Sequence, residues 1–355
     1  MKLPLLVAAA AVLIGAAPNT ARALSIVPVF DSSVTSLRNA STIEAAFTAV
    51  ARAFDASFAT PVTVKIGVSW GKVDGVSLGS GNIAASRSPL TGPFSYSDVT
   101  AIFAGDAAAN PTNMTMAIAA AKLASRSPAG SLPYEIPYAE AQALGYLPAA
   151  MKPDSGYVGF STSAVWDFSK HNGITAGTYD FQALAAHEIS EVLGRITGLD
   201  TRRPTYATPL DALRYSAPGQ PSFSYGAPAY FSIDGGRTNL GAFNVAGGGD
   251  RSDWSGISGD AQNAYLRTGV GYALMSSDLK LLDVLGWGAV TPLPAGTIAA
   301  IAVTAPGAAM GVPEPGTWGL MLAGLGVVGA FARLGRAAGA RTRGTIPGSL
   351  ASPSA

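Results

Sequence analysis

The chain has 355 residues, a formal net charge of +1 and only 13% charged residues, so composition gives no sign of a nucleic-acid-binding surface. It contains no cysteine, which excludes disulfides, thiolate metal ligands and a cysteine nucleophile. Its only histidines are His171 and His187, so a zinc site of three imidazoles is also excluded. Any metal ion must therefore be held largely by carboxylates, backbone oxygens or water.

The N-terminus is typical of a secretory signal peptide over residues 1–23. Lys2 precedes an apolar run, and Ala21 and Ala23 form an A-x-A cleavage site. The run is too short for a membrane span. The pattern predicts export, cleavage by signal peptidase, and a mature domain over residues 24–290.

Hydrophobic periodicity within this domain predicts an α+β fold. Apolar residues at helical spacing predict helices over residues 41–58, 95–109, 114–124, 138–147 and 278–285. Alternating apolar residues predict strands over residues 62–70, 157–163 and 230–234. Ser41 and Glu44 have the spacing of a capping box, which predicts that the first helix begins there.

The stretch DFQALAAHEISEVLGR, residues 180–195, predicts one further helix with Asp180 as its N-cap. His187 and Glu191 have i, i+4 spacing, so their side chains share a face and can converge on one ion. The helical pattern places these two residues and Glu188 towards a cleft, opposite the residues that face the core.

The pattern H-E-x-x-E differs by one residue from the H-E-x-x-H of zinc peptidases. In such a site His187 supplies an imidazole ligand, Glu191 a carboxylate ligand, and Glu188 the general base that takes a proton from water. The charge of Glu191 makes the metal less electrophilic than a second histidine would. A helix face in solvent, without any chemistry, also fits this short motif.

A third ligand has no local signal. In the longer pattern H-E-x-x-H-x-x-G-x-x-H the glycine is present as Gly194, but the last position is Thr197. The candidates are Asp200, Asp211, Asp253 and His171. Asp211 is preferred because it lies in an ordered apolar context, whereas Asp253 and His171 are also explained as turn or loop residues.

After residue 290 the composition changes. The Ala-, Pro- and Gly-rich stretch 291–311 predicts a linker, residues 312–336 have the order of a sorting signal, and residues 337–355 predict a disordered tail.

The sorting segment begins with Pro313, Glu314 and Pro315, continues with an apolar run over residues 316–332 and ends in arginines. It resembles the PEP-CTERM sorting signal of Gram-negative bacteria. The resemblance implies recognition by an exosortase, a C-terminal transmembrane sorting helix, and a final location in the cell envelope or outside the cell.

The wider order of segments, GTYDFQALAAHEISEVLGRI, PLDALRYSAPG, YFSIDGGRTNLGAFN, GDRSDW and LMSSDLKLLDVLGW, resembles a family of secreted bacterial metzincin-like zinc metalloproteases. The resemblance implies a mixed sheet, an active-site helix, and a later turn containing a methionine, for which Met275 is the candidate. It also implies that His187 is a ligand, that Glu188 is the base, and that Glu191 stands where other members have histidine.

Two hypotheses follow. The first is an exported zinc-dependent peptidase, with Zn²⁺ held by His187, Glu191 and Asp211, Glu188 as base, and a protein or peptide substrate. The second is a catalytically inactive extracellular or matrix protein that keeps the protease fold and is anchored through its sorting signal. Neither predicts nucleic acid as a partner.

Overall fold

The computed structural model describes residues 23–79, 81–126, 132–148 and 154–290, together with the backbone of Val312–Pro313. The α-helices within this part of the chain are α1 (Ser32–Thr35), α2 (Ala40–Ser57), α3 (Tyr96–Ala109), α4 (Met114–Ala124), α5 (Tyr138–Ala143), α6 (Phe181–Val192) and α7 (Ser276–Leu282). A 3-10 turn covers Pro209–Leu213, and a π-helical turn covers Asp283–Trp287. None of the described helices is long and apolar enough to cross a membrane.

Four segments predicted from sequence fall wholly or largely where no structure is described. The signal peptide lies outside the described residues except for Ala23, and so do the linker, the apolar run of the sorting helix and the tail. Pro313 is placed by its backbone alone, in a short strand that pairs with Tyr265–Leu266.

The strands are β1 (Ser25–Phe30), β2 (Thr63–Trp70), β3 (Lys72–Val73), β4 (Val76–Ser77), β5 (Ala84–Arg87), β6 (Leu90–Phe94), β7 (Tyr134–Pro137), β8 (Gly156–Phe160), β9 (Trp166–Asp167), β10 (Tyr179–Asp180), β11 (Arg214–Ala217), β12 (Gln220–Pro221), β13 (Tyr230–Phe231), β14 (Gly241–Ala242), β15 (Tyr265–Leu266) and β16 (Val312–Pro313). The main sheet has the order β1-β2-β8-β5. Its first three strands are parallel, and β5 runs antiparallel to β8. A second sheet, β12-β11-β13-β14, is antiparallel. This mixture of sheets and helices confirms the predicted α+β class.

Most predicted elements are present, but the start of α2 differs from the prediction. Helix α2 begins after Asn39, which makes no side-chain capping bond, so the capping box at Ser41 is wrong. The Gly- and Ser-rich stretch before α3 forms the β3-β4 hairpin and strands β5 and β6. Strand β5 reads Ala-Ala-Ser-Arg, and this short run of small and polar residues has no apolar alternation that would identify a strand.

The outer edge of the main sheet is blocked at β1. The N–H of Ile26 points away from β2 and donates to Asp55 Oδ1 at 2.7 Å. Pro28, two residues further on, has no N–H to offer. Another strand therefore cannot form hydrogen bonds along the whole length of β1.

An aromatic cluster joins the main sheet to its helices. Phe160 of β8 lies 4.6 Å from Phe181 of α6 and 6.2 Å from Phe47 of α2, measured between ring centroids. Helix α6 also packs very closely on β8 at Gly156. A Cβ atom at this position would lie 2.6 Å from a methyl group of Val192, so only glycine fits. Burial of large aromatic rings at this junction fixes α6 on the sheet.

The C-terminal end of the domain pairs with the end of α2 and the residues that follow it. Ala59 N–H donates to Gly288 O at 2.9 Å, and Val290 N–H donates to Ser57 O at 2.9 Å. The Trp287 indole N–H donates to Leu193 O at 2.7 Å, so the last residues of the domain also hold the C-terminal end of α6.

Candidate metal centre

Helix α6 is fixed at both ends. The Asp180 carboxylate accepts from Ala183 N–H at 3.0 Å, which confirms the predicted N-cap, and from Tyr272 N–H at 3.0 Å. Lys170 Nζ lies 3.0 Å from the same carboxylate. After the helix, Gly194 adopts φ 118°, a left-handed conformation that favours glycine. The orientation of every side chain on α6 is therefore set by contacts outside the helix itself.

His187 is oriented by a carbonyl group. Its Nδ1 lies 2.8 Å from Ala261 O, and because a carbonyl only accepts, Nδ1 carries the proton and Nε2 is turned inwards. Nε2 lies 3.5 Å from Asp253 Oδ1 and 3.7 Å from Glu191 Oε1. A histidine that donates one ring N–H to a carbonyl while presenting the other nitrogen is the usual arrangement of a metal ligand.

Glu191 is held by a hydroxyl group from the main sheet. Ser86 on β5 donates to Glu191 Oε2 at 2.6 Å, while Oε1 accepts no hydrogen bond within the described part of the chain. Burial alone would raise the pKa of Glu191, but His187, Ser86 and Glu188 together lower it below its ordinary value. Glu191 is therefore a carboxylate with one oxygen available to a cation.

The spacing of the three side chains fits a small metal ion. One ligand atom each from His187, Glu191 and Asp253 lies within 4.8 Å of the others, and the three residues are 0–1% exposed. Ligands at the usual distances from a tetrahedral zinc stand about 3.3–3.4 Å apart. The separations of 3.5 and 3.7 Å at Nε2 are close to that value. One imidazole and two carboxylates form a donor set that zinc accepts.

Arg195 lies beside the same group. Its Nη1 is 3.3 Å from Asp253 Oδ1 and 2.8 Å from Gln262 Oε1, and the guanidinium stacks on Trp254 at 4.4 Å. Its Nη2 is 3.9 Å from Asp278 Oδ1, and this arginine is fully buried. In the sequence, Arg195 is only the last residue of the stretch 180–195, and it is not among the candidate site residues. The only signal that it belongs to the centre is its position directly after the motif helix.

A further buried carboxyl group lies behind Arg195. Burial, followed by the charge of Asp278, raises the pKa of Asp260 to about 8. Burial also raises the pKa of Asp278, against the opposing effect of Arg195. The surroundings of the centre thus contain more acidic groups than the single guanidinium can neutralise.

The preferred third ligand, Asp211, is not in this group. Its carboxylate accepts from the Thr197 hydroxyl, from Gly198 N–H at 2.8 Å and from Thr208 N–H at 2.8 Å. The structure brings Asp253 to His187 and Glu191 instead, because the loop after β14 folds over the helix. Asp211 supports the turn that follows α6.

The other candidates are also elsewhere. His171 is exposed, in a loop before β10. Asp200 accepts from Arg251 N–H at 3.0 Å. Met275 precedes α7, where its N–H donates to Asp278 Oδ2 at 2.6 Å, and its role in a methionine turn stays a prediction.

Within the described ranges of the chain, no cleft opens beside α6, contrary to the prediction. Glu188, the predicted base, is 1% exposed, and the faces of the helix that carry it and the ligands are covered. A helical pattern identifies a polar stripe, but the Asp253–Trp254 loop that covers this stripe comes from a distant part of the chain. A cavity of about 1080 Å³ lies elsewhere, lined by α3, α4, α5, the segment after α2 and the C-terminal end of the domain, and it includes none of the centre's residues.

Comparison with known proteins identifies the C-terminal segment. Residues 311–337 match the family model of the PEP-CTERM protein-sorting motif. No curated protein and no solved structure matches the chain. The motif implies recognition by an exosortase during export and association with the cell envelope, as the predicted sorting signal requires.

Proposed function

We propose that this chain is an exported zinc-dependent peptidase of metzincin-like architecture, whose ion is held by His187, Glu191 and Asp253. The observation that carries the proposal is that these three side chains bring ligand atoms within 4.8 Å of one another. Two of them are on a helix that also bears Glu188. The mixed main sheet beneath α6 and the position of Met275 support the architecture.

Each residue has a defined task in this proposal. His187 is oriented by the Ala261 carbonyl, and Glu191 by the Ser86 hydroxyl. Zinc, when bound, supplies a Lewis acid that makes water more acidic and polarises a carbonyl group. Glu188 takes the proton from the attacking water and passes it to the leaving amine. Hydrolysis requires the cover over Glu188 to open while Asp253 stays on the ion, because a peptide must come within reach of Glu188.

The burial of the centre favours a second candidate function. In a catalytically inactive protein of the same architecture, the ion is structural and the closed loop is its permanent cover. Structural zinc sites are closed, whereas catalytic sites keep one position open to water or substrate. With Glu188 and all three ligands 0–1% exposed, the described conformation has the character of a closed site.

Metal analysis tests the part that both candidates share. The purified chain should contain close to one zinc per molecule, and Asp253→Asn and Glu191→Gln should contain much less. Asp211→Asn is the matched control, since it removes a buried carboxylate that makes no contact with the centre. A parent protein without zinc would refute both candidates.

Proteolysis separates the two candidates. With zinc bound, the parent should cleave unfolded casein, and Glu188→Gln should be slower by a factor of about 100 or more while retaining its zinc. Equal rates for the two proteins would exclude Glu188 as the base. Zinc at full occupancy without any cleavage would establish the structural role.

A further inference from the structure

One oxygen of Asp253 faces two cation positions. Oδ1 lies 3.5 Å from His187 Nε2, on the side of the metal ligands, and 3.3 Å from Arg195 Nη1 on the other side. Arg195 cannot turn away easily, because Gln262 accepts from Nη1 at 2.8 Å and Trp254 stacks against the guanidinium. A metal ion held by Asp253 would therefore share its ligand with a fixed positive charge.

The loop around Asp253 has no helix or strand among the described residues, but backbone hydrogen bonds hold it in place. The Asp253 carbonyl accepts from Asn244 N–H at 2.8 Å, and Trp254 N–H donates to Gln262 O at 2.8 Å. Asp253 is 0% exposed, and a buried carboxylate requires a nearby cation or several donors. Arg195 supplies that cation whether or not an ion is held.

We propose that Arg195 is a built-in competitor of the metal ion for Asp253: its guanidinium neutralises this carboxylate when no ion is held, and weakens the affinity of the centre for a dication. This inference rests on the proposed metal centre. It makes Arg195 a residue that sets metal affinity and lets the domain fold before zinc arrives.

The direction of the effect follows from two opposed contributions. Arg195 orients Asp253, and its loss leaves this ligand less constrained. Arg195 also repels a dication a few ångströms away. In the protein interior, the lower dielectric constant makes unit charges interact several times more strongly than in water. The repulsion is the larger contribution, so a neutral side chain at this position should tighten zinc binding by about tenfold or more.

Arg214 offers a matched control in the same domain. It is also buried, it stacks on Phe243 at 4.2 Å, and its Nε lies 4.0 Å from the Asp211 carboxylate. It differs from Arg195 in having no contact with His187, Glu191 or Asp253 among the contacts of the described residues. Substitution of Arg214 therefore removes a buried, stacked arginine without removing a charge beside the centre.

The experiment titrates the full chain with zinc against a chromophoric chelator, and measures thermal unfolding with and without saturating zinc. Arg195→Met and Arg195→Gln should bind zinc at least about tenfold more tightly than the parent. Their melting temperatures should fall in the absence of zinc and recover in its presence. Arg195→Lys, which keeps the charge, should bind like the parent. Arg214→Met should lose stability equally with and without zinc and keep the parent affinity.

Failure of this inference is distinguishable from failure of the metal centre. If the parent binds zinc and the neutral variants bind no more tightly, or if Arg195→Lys binds as tightly as Arg195→Met, the competition is refuted and the centre stands. If neither the parent nor any variant binds zinc, the centre is refuted, and the inference falls with it. If both neutral variants stay unfolded at saturating zinc while Arg195→Lys folds, Arg195 is a structural ion pair and the competition is again refuted.

Discussion

The buried acidic side chains near the end of α6 form two groups, Asp211 in one and Glu191 with Asp253 in the other. The two groups have different hydrogen-bond and charge partners. Asp211 receives hydrogen bonds from Thr197, from Gly198 N–H and from both the N–H and the hydroxyl of Thr208. Glu191 receives one hydroxyl from Ser86 at a single oxygen, and Asp253 shares one oxygen between His187 and Arg195. Asp211 is therefore supported mainly by donors of its own turn, with Arg214 4.0 Å away, whereas Glu191 and Asp253 each depend on single groups from other elements.

The difference explains why the two groups have different uses. A carboxylate whose own turn supplies several donors is stable without an ion and has no lone pair directed at a shared centre. Carboxylates supplied by separate elements, such as α6 and the loop after β14, can be directed at one point, and there a dication can replace the missing donors. Burial and residue type alone do not distinguish a structural aspartate from a ligand.

The largest expected effect is at Asp211. Asp211→Ala leaves two buried N–H groups and the Thr197 hydroxyl without their acceptor, so the free energy of unfolding should fall by about 3–5 kcal/mol. Urea denaturation should show the same loss with and without zinc. Asp234→Ala is the control, because half-buried Asp234 accepts from Ser232 and Thr238 but water can replace it there. If Asp211→Ala abolished zinc binding in a folded protein, Asp211 would be a ligand after all.

Asp253→Asn should have a smaller and conditional effect. At zinc concentrations about 100-fold above the dissociation constant, bound zinc stabilises a protein by about 2.7 kcal/mol. An amide cannot balance the charge of the ion, so this stabilisation should disappear in the variant. The measurement is the difference between denaturation midpoints with and without zinc, and Asp211→Asn should retain this difference. If Asp253→Asn kept the difference between the midpoints with and without zinc, Asp253 would not be a ligand.

Asp106, in the wall of the large cavity, provides an intermediate case with one donor side chain. Burial and the charge of Asp283 raise the pKa of Asp106 to about 6, although the hydrogen bond from Asn110 lowers it. A raised folded-state pKa means that the stability contribution is complete below about pH 4 and is lost as pH rises through 6. The loss should be about 2 kcal/mol, with allowance for partial solvent screening.

Asp106→Asn should remove that part of the pH dependence. Urea denaturation at pH 4.5 and pH 7.5 measures it in the parent and in the variant. An unchanged difference between the two pH values in Asp106→Asn would show that other carboxyl groups are responsible.

Glu140 is the buried acidic side chain with the fewest hydrogen-bond donors in this comparison. It is fully buried against Gly194, and neither of its carboxyl oxygens has a hydrogen-bond partner among the described residues. Burial, and then the charge of Asp211, raises the pKa of Glu140 well above its ordinary value. Its stability contribution is therefore present at acid pH and is lost as pH rises through that raised pKa.

Glu140→Gln cannot ionise, so it should equal the parent near pH 4 and become increasingly more stable than the parent as pH rises. Thermal unfolding across this range measures the crossover. A variant that is less stable than the parent at every pH would indicate that the Glu140 carboxyl is needed as such.

Local signals in the sequence predict the helix that carries the chemistry. The N-cap Asp180, the spacing of His187 and Glu191, and the end of the helix near Gly194 all depend on residues within a few positions of each other. The third ligand has no such signal, because Asp253 reaches the helix only through the fold. Sequence therefore gives Asp253 as one of several candidates and prefers Asp211, whose ordered surroundings reflect its own hydrogen bonds.

The predicted cleft illustrates a second limit. Polar residues on one side of an amphipathic helix usually face solvent, so His187, Glu188 and Glu191 predict an open surface. The structure covers them with a loop whose own polar groups complete the cluster. Ser86 is missed for the same reason, since a serine in a short strand carries no sign that it donates to a glutamate on a distant helix.

The bond between the Trp287 indole and Leu193 O, with the pairing of residues 57–60 and 287–290, has a consequence for the order of events in export. A chain that crosses a membrane from its N-terminus presents α6 on the far side well before Trp287 emerges. The end of α6 cannot be held, and residues 57–60 cannot pair with residues 287–290, until almost the whole domain has crossed. The motif read by the exosortase follows closely behind, so maturation of the centre and sorting of the chain become neighbouring steps in time.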